Sequence, residues 1–173
     1  MKTQQFEIVV AKSNIDWLGR KVTGSHNGSI DFKGGILMLT DGMLTGGQFT
    51  IDTRSIQILD VTDPATNAQF AGHLASDDFF SSEQYPEAGF EITSVENNYI
   101  NGNLTIKGIT KPMGFLAVVQ VTGDTLTAAG KVVVNRTLYG MKFRSGNFFK
   151  DLGDTLIYND FNLDIYITAK AVA

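Results

Sequence analysis

Apolar side chains recur at every second position along almost the whole chain: Ile15/Trp17, Ile36/Met38, Phe49/Ile51, Phe90/Ile92, Leu104/Ile106, Val132/Val134 and Phe161/Leu163/Ile165/Ile167. Successive side chains of an extended strand point to opposite faces, so each run gathers its apolar members on one face and leaves the other to water. The pattern predicts half-buried strands. Asp41-Gly42, Gly46-Gly47, Asn97-Asn98 and Gly123-Asp124 fall between the runs and tolerate positive φ, which predicts hairpin turns there. Asn27-Gly28 and Asn101-Gly102 stand where strands should run on, and are read as bulges. Eighteen glycines against three prolines suit strands joined by tight turns.

One segment breaks the alternation. Asp63 is a helix N-cap residue, Pro64 fits the first helical position, and Phe70 and Leu74 stand four apart on one helical face. A helix is predicted from about Pro64 to Ala75. A further helical turn over Phe79-Phe80 ends at Tyr85-Pro86, so the excursion covers roughly residues 64–80. Many strands with one helix predict an all-β chain: an extended, antiparallel, up-and-down barrel of about eight strands under a helical lid, since closure removes exposed sheet edges. With no linker-like stretch, residues 1–173 are expected to form a single domain.

Charge and composition exclude several functions. A net charge of −4 without a Lys/Arg cluster argues against a nucleic-acid partner, which needs a basic stripe. There is no cysteine, hence no disulfide and no thiolate nucleophile or ligand. Asp77, Asp78, Glu83 and Glu87 lack the spacing of a calcium loop and are read as caps and solvated charges. No metal or other cofactor is expected. No nucleophile elbow or phosphate-cradling glycine loop appears, so the chain is read as a non-enzyme. Residues 1–10 lack a secretory apolar stretch and no window approaches a membrane span, so no integral membrane segment is expected. As the chain stands it is expected in the cytoplasm, or in the periplasm or outside the cell if a leader has been removed.

Several stretches, in order, resemble one family: Ser13-Asn14-Ile15-Asp16-Trp17, Lys21 to Gly28, Gly47 to Ile56, His73 to Phe80, Tyr85 to Phe90, Gly102 to Pro112 and Asn135-Arg136-Thr137. The chain is similar to YceI-like proteins, a lipocalin-resembling, polyisoprenoid-binding family. The resemblance implies a lipocalin-like barrel, often a homodimer, whose elongated apolar pore holds an isoprenoid chain or another long amphiphile. Asn135 departs from the pattern, standing where an acidic residue is expected before Arg136-Thr137.

Holding such a chain needs a continuous apolar wall. The inward candidates are Trp17, Phe49, Ile51, Phe90, Ile92, Leu104, Ile106, Phe115, Val132, Val134, Phe161, Leu163, Ile165 and Ile167. Ordinary core packing uses the same residue types at the same spacing, so each is either wall or core. His26 shares strand parity with Val22 and Gly24 and offers a polar handle near a head group; its other reading is a histidine bonded at a turn. Arg136 continues the parity of Val132 and Val134, where a guanidinium either pairs with an anionic head group or makes a structural salt bridge. His73 is read as a helix-packing residue, and Lys107, Lys111 and Arg144 as solvated charges. The chain is thus expected to sequester or carry an isoprenoid-type lipid. A packed interaction barrel and an enzyme using His26 with a carboxylate are the alternatives.

Overall fold

The computed structural model describes residues 2–172 other than 147, 150, 151, 154 and 155. Among the described residues nine strands are formed: β1 (Thr3–Ile8), β2 (Asn14–Lys21), β3 (Gly24–Thr40), β4 (Met43–Ile58), β5 (Glu87–Glu96), β6 (Tyr99–Ile106), β7 (Ile109–Thr122), β8 (Thr125–Asn135) and β9 (Ile157–Ala171). Strands β2 to β9 pair antiparallel in chain order, and β2 also pairs with β9, which closes an eight-stranded barrel. Strand β1 runs alongside β3 and β9 further along the same seam. It therefore shares one barrel position with β2, from which the short 3-10 turn Val10–Lys12 separates it.

The alternation works as the sequence suggests. Strand β6 buries Ile100, Gly102, Leu104 and Ile106 in strict succession, and β8 buries Leu126, Ala128, Val132 and Val134. The turns at Asp41-Gly42, Asn97-Asn98 and Gly123-Asp124 form, with positive φ at Asp41, Gly42, Asn97, Asn98 and Gly123. Gly46-Gly47 instead lies inside β4, because Gly47 packs against the backbone of β3: a Cβ there would lie 2.3 Å from the Ile36 carbonyl oxygen. Asn27-Gly28 pairs regularly with β2, and the nearby register shift against β4 falls between Ser29 and Asp31. At Asn101-Gly102 the irregularity belongs to the partner strand, between Ile92 and Ser94 of β5.

The helix α1 spans Pro64–Leu74. Asp63 caps it by accepting from both the backbone N–H (3.0 Å) and the hydroxyl (2.6 Å) of Thr66, bonds that hold its carboxyl below the usual carboxylate range. Asn67 ties the helix to β4 by donating to the carbonyls of Ile58 (2.9 Å) and Val61 (3.0 Å). The chain from 75 to 80 forms turns rather than more helix, and Ser81 takes a left-handed φ of 47°. Among the described residues no helix is long and apolar enough to cross a membrane.

Aromatic rings from several strands pack together inside the barrel. Phe32, Phe49, Phe90 and Phe115, from β3, β4, β5 and β7, form a chain of ring contacts with centroids 5.4, 5.3 and 5.6 Å apart. Glycines on neighbouring strands make room for the rings. A Cβ at Gly102 would lie 2.4 Å from the Phe90 ring, and one at Gly130 would lie 3.1 Å from Phe115. The half of the barrel beyond this layer, around Phe6, Leu37, Leu39, Leu126 and Ala169, is closely packed.

Candidate functional site

Between the aromatic layer and α1 lies a cavity of about 740 Å³. Its wall is contributed by β2, β3, β4, β5, β6 and β9, its cover by Phe70, His73 and Leu74 of α1, and one flank by Met141, Phe143 and Arg144 from the segment between β8 and β9. Exposed residues such as Arg20, Lys21, Thr66, Gln69 and Arg144 also border it, so it opens to solvent between the β2–β3 hairpin and the helix.

Of the residues singled out in the sequence, Trp17, His26, Ile51, Leu104, Ile106, Arg136, Phe161 and Leu163 line this cavity. Phe49, Ile92, Phe115, Ile165 and Ile167 instead surround a space of only about 20 Å³ beyond the aromatic layer, and Phe90 belongs to that layer itself. Val132 and Val134 are buried opposite Leu163 and Phe161 without bounding the cavity. The strand residues among them lie inside the barrel, as their parity suggests, whereas Arg136 enters from the 3-10 turn Arg136–Tyr139 that follows β8; depth along the barrel separates wall from packing. Phe79, Phe80, Met141 and Phe143 also border the cavity, and sequence periodicity missed them because they stand in turns and loops.

Arg136, His26 and His73 are among the polar side chains that line the cavity. Arg136 is almost fully buried and donates from Nε to the Tyr158 carbonyl (3.0 Å), from Nη1 to Met141 (2.6 Å) and from Nη2 to Ile157 (3.1 Å). It makes no salt bridge with any described carboxylate, and its guanidinium carbon lies 5.7 Å from the centre of the Phe79 ring. Burial lowers its pKa to about 10, so it remains a cation at neutral pH. Asn135 takes over the local role expected of an acid, since its Oδ1 accepts from the N–H (3.0 Å) and hydroxyl (2.6 Å) of Thr137.

The two histidines fasten the cover. His26 Nδ1 lies 2.9 Å from Asp60 Oδ2, and its ring meets Phe70 of α1 edge-on with centroids 4.8 Å apart. Partial burial works against the Asp60 charge, but bonds from the Asn27 N–H and from His26 outweigh it and hold that carboxyl below its usual range. His73 Nε2 lies 3.0 Å from Asp78 Oδ2, and its ring packs edge-on to Phe79 and Phe143. His73 thus packs its helix against neighbouring rings, lies beside the Asp78 carboxylate and also borders the cavity. Asp77 accepts from the Ser81 hydroxyl, and Lys107 donates to the Asp77 carbonyl.

A closed antiparallel barrel with an apolar, helix-covered cavity is a lipocalin-like fold. The chain belongs to the YceI-like family: the YceI-like domain matches residues 6–169. It is 30% identical over 126 residues to the UPF0312 protein plu2095 of Photorhabdus laumondii, covering 62% of this chain and 61% of that protein. Over 89 residues it is 33% identical to Protein YceI of Escherichia coli, covering 45% of this chain and 47% of that one. The matched stretches thus span under two thirds of these relatives. Among solved structures, BcnA of Burkholderia cenocepacia matches with a TM-score of 0.70 at 20% identity, covering 94% of this chain and 99% of that one. A polyisoprenoid binding domain from Saccharophagus degradans matches with a TM-score of 0.72 at 13% identity, covering 99% and 100%. At these identities the two structures speak for the fold.

Proposed function

We propose that this protein binds a long apolar isoprenoid-type lipid, such as a polyisoprenoid, an isoprenoid quinone or a similar amphiphile, and sequesters or carries it unchanged. The observation that carries this reading is the apolar cavity of about 740 Å³ beneath a helical cover. Its volume lies within the ~300–1,000 Å³ of small-molecule sites. A likeness in fold to a domain described as polyisoprenoid binding supports the same ligand class. Burying twenty carbons at ~0.8 kcal/mol each gives an upper bound of roughly 16 kcal/mol. Association and chain ordering offset roughly 4–15 kcal/mol of that, so retention needs little polar machinery.

Arg136 supplies the polar end. Its three carbonyl bonds leave two of the five guanidinium N–H groups for a carbonyl, hydroxyl or anionic head group in the cavity. A second reading draws on His26 and Asp60, 2.9 Å apart at the cavity wall, as an acid–base pair acting on an isoprenoid or fatty substrate. The single tryptophan of the chain separates binding from non-binding. Trp17 borders the cavity, so titration with geranylgeraniol should shift and saturate its emission; an unchanged spectrum would count against both readings. Recovery of the added prenol intact favours the carrier, and a converted product favours the enzyme.

A further inference from the structure

We infer that the open end of the cavity is a docking surface for an anionic lipid bilayer, on which the protein exchanges its ligand. This inference rests on the carrier reading and adds the place where the lipid is taken up and given back.

The segment between β8 and β9 carries Phe148 and Phe149, two successive rings that are 51% and 49% exposed. Large apolar side chains left half in water at consecutive positions mark an interaction site. They belong to a compact turn: Ser145 donates from its N–H to the Lys142 carbonyl (3.0 Å), and its own carbonyl accepts from the N–H groups of Phe148 (3.1 Å) and Phe149 (3.0 Å). The same turn supplies Phe143 and Arg144 to the cavity lining. Two further backbone bonds hold the segment at the rim, from the Ile157 N–H to the Arg144 carbonyl (2.9 Å) and from the Val22 N–H to the Leu156 carbonyl (3.2 Å). The second sets the tip of the β2–β3 hairpin, with its exposed Val22, beside the segment.

Charge selects the partner. The chain as a whole carries a net charge of −4, yet exposed Arg20, Lys21 and Arg144 border the cavity, with Asp160 as the one acid among the described lining residues. Lys142 adds a further exposed cation, its Nζ 4.6 Å from the centre of the Phe148 ring. Neighbouring Asp60 is paired with His26 at 2.9 Å, and Lys150, Asp151 and Asp154 lie outside the described residues. Rings with cations beside them suit the boundary of an anionic bilayer, where the ring enters the acyl region and the ammonium stays among the phosphates. An isoprenoid-type lipid resides in a bilayer rather than in water, so an opening seated there lets the chain enter the cavity without crossing solvent. Two half-exposed rings and a few charges give reversible attachment, as a carrier that leaves again requires.

The test floats the protein with vesicles of phosphatidylcholine and phosphatidylglycerol in about equal parts, and with phosphatidylcholine alone, at low and high salt. The wild type should bind the anionic vesicles and be released by salt. Phe148→Ser with Phe149→Ser should weaken that binding roughly tenfold, and Lys142→Gln about fivefold. None of the three residues lines the cavity, so geranylgeraniol binding in solution, followed by Trp17 emission, should stay at the wild-type level, while its transfer from the vesicles slows in step with docking. Leu116→Ser with Val118→Ser, equally exposed but on the outer face of β7, is the control and should leave vesicle binding unchanged. No binding of the wild type to anionic vesicles, or an equal loss in the β7 control, overturns the docking surface and leaves the carrier reading intact. A dimer in light scattering that Phe148→Ser with Phe149→Ser dissolves would mean that a second copy covers the rings, and overturns it too. Vesicle binding without uptake of any prenol overturns the carrier reading instead.

Discussion

Replacing Gly102 by alanine tests whether the aromatic layer is held by close packing. A Cβ at this position would lie 2.4 Å from the tip of the Phe90 ring, 2.8 Å from its neighbouring ring atom and 2.3 Å from the Glu91 carbonyl oxygen. Comfortable carbon contacts begin near ~3.5 Å, so the ring must retreat by about 1 Å. Behind it stand Phe49 and Phe115, and the Glu91 carbonyl is part of the β5–β6 ladder. Neither neighbour can give freely. Overpacking of this kind costs typically ~1–3 kcal/mol, and the backbone contact puts the expected loss near ~3 kcal/mol. That is a large share of an ordinary ~5–15 kcal/mol. At ~2–4 °C per kcal/mol for a chain of this size, the melting temperature should fall by about 6–12 °C, with a lower urea midpoint at unchanged slope. Phe90→Leu in the same background should restore about 1 kcal/mol, because it removes the ring half of the clash. Gly34→Ala is the control, since a Cβ there meets nothing within 4 Å and should cost little. Equal stability of Gly102→Ala and wild type, or strict additivity with Phe90→Leu, would refute the packing argument.

Leu104→Trp and Ile165→Trp should separate the two halves of the barrel. The first enlarges a cavity wall and should block uptake of geranylgeraniol at little cost in stability, whereas the second overpacks the far half and should cost ~1–3 kcal/mol while sparing uptake; equal loss of binding in both folded variants would contradict the partition. Arg136→Met removes three charge-assisted bonds to backbone carbonyls and should destabilise by about 3 kcal/mol or more in urea titrations; wild-type stability would show those bonds to be dispensable. Asp60 and Asp63 both titrate lower in the folded protein, so their contribution is complete above the ordinary carboxylate value near ~3.9 and is lost as pH falls through the lower folded values. Amide exchange of α1 should therefore accelerate in acid, and Asp63→Asn, which keeps a capping oxygen but cannot titrate, should shrink the effect; an identical acid profile would remove Asp63 from it.

The barrel was largely legible in the sequence because strand alternation is a local property. Leu104 and Ile106, or Val132 and Val134, declare their common face without knowledge of any partner. Register is not local. The clearance between Gly102 and Phe90 exists only because β5 and β6 pair as they do, and Gly47 looked like a turn residue because its close neighbour, the Ile36 carbonyl, lies on another strand. Parity also says nothing about depth. Ile51 and Phe49 are neighbours on one face of β4, yet one lines the cavity and the other packs among the aromatic rings beside the small space beyond. Arg136 was recognised as inward-facing, while its carbonyl partners at 141, 157 and 158 belong to a segment without periodicity. Met141 and Phe143 entered the wall through that same segment.

The central claim, that the cavity holds an isoprenoid-type lipid, is tested most directly by organic extraction of freshly purified, untagged protein followed by mass spectrometry, with an unrelated protein from the same host as control. The account predicts a stoichiometric isoprenoid-type molecule, absent from the control. Extracts indistinguishable from the control, together with no uptake of added prenol, would contradict it.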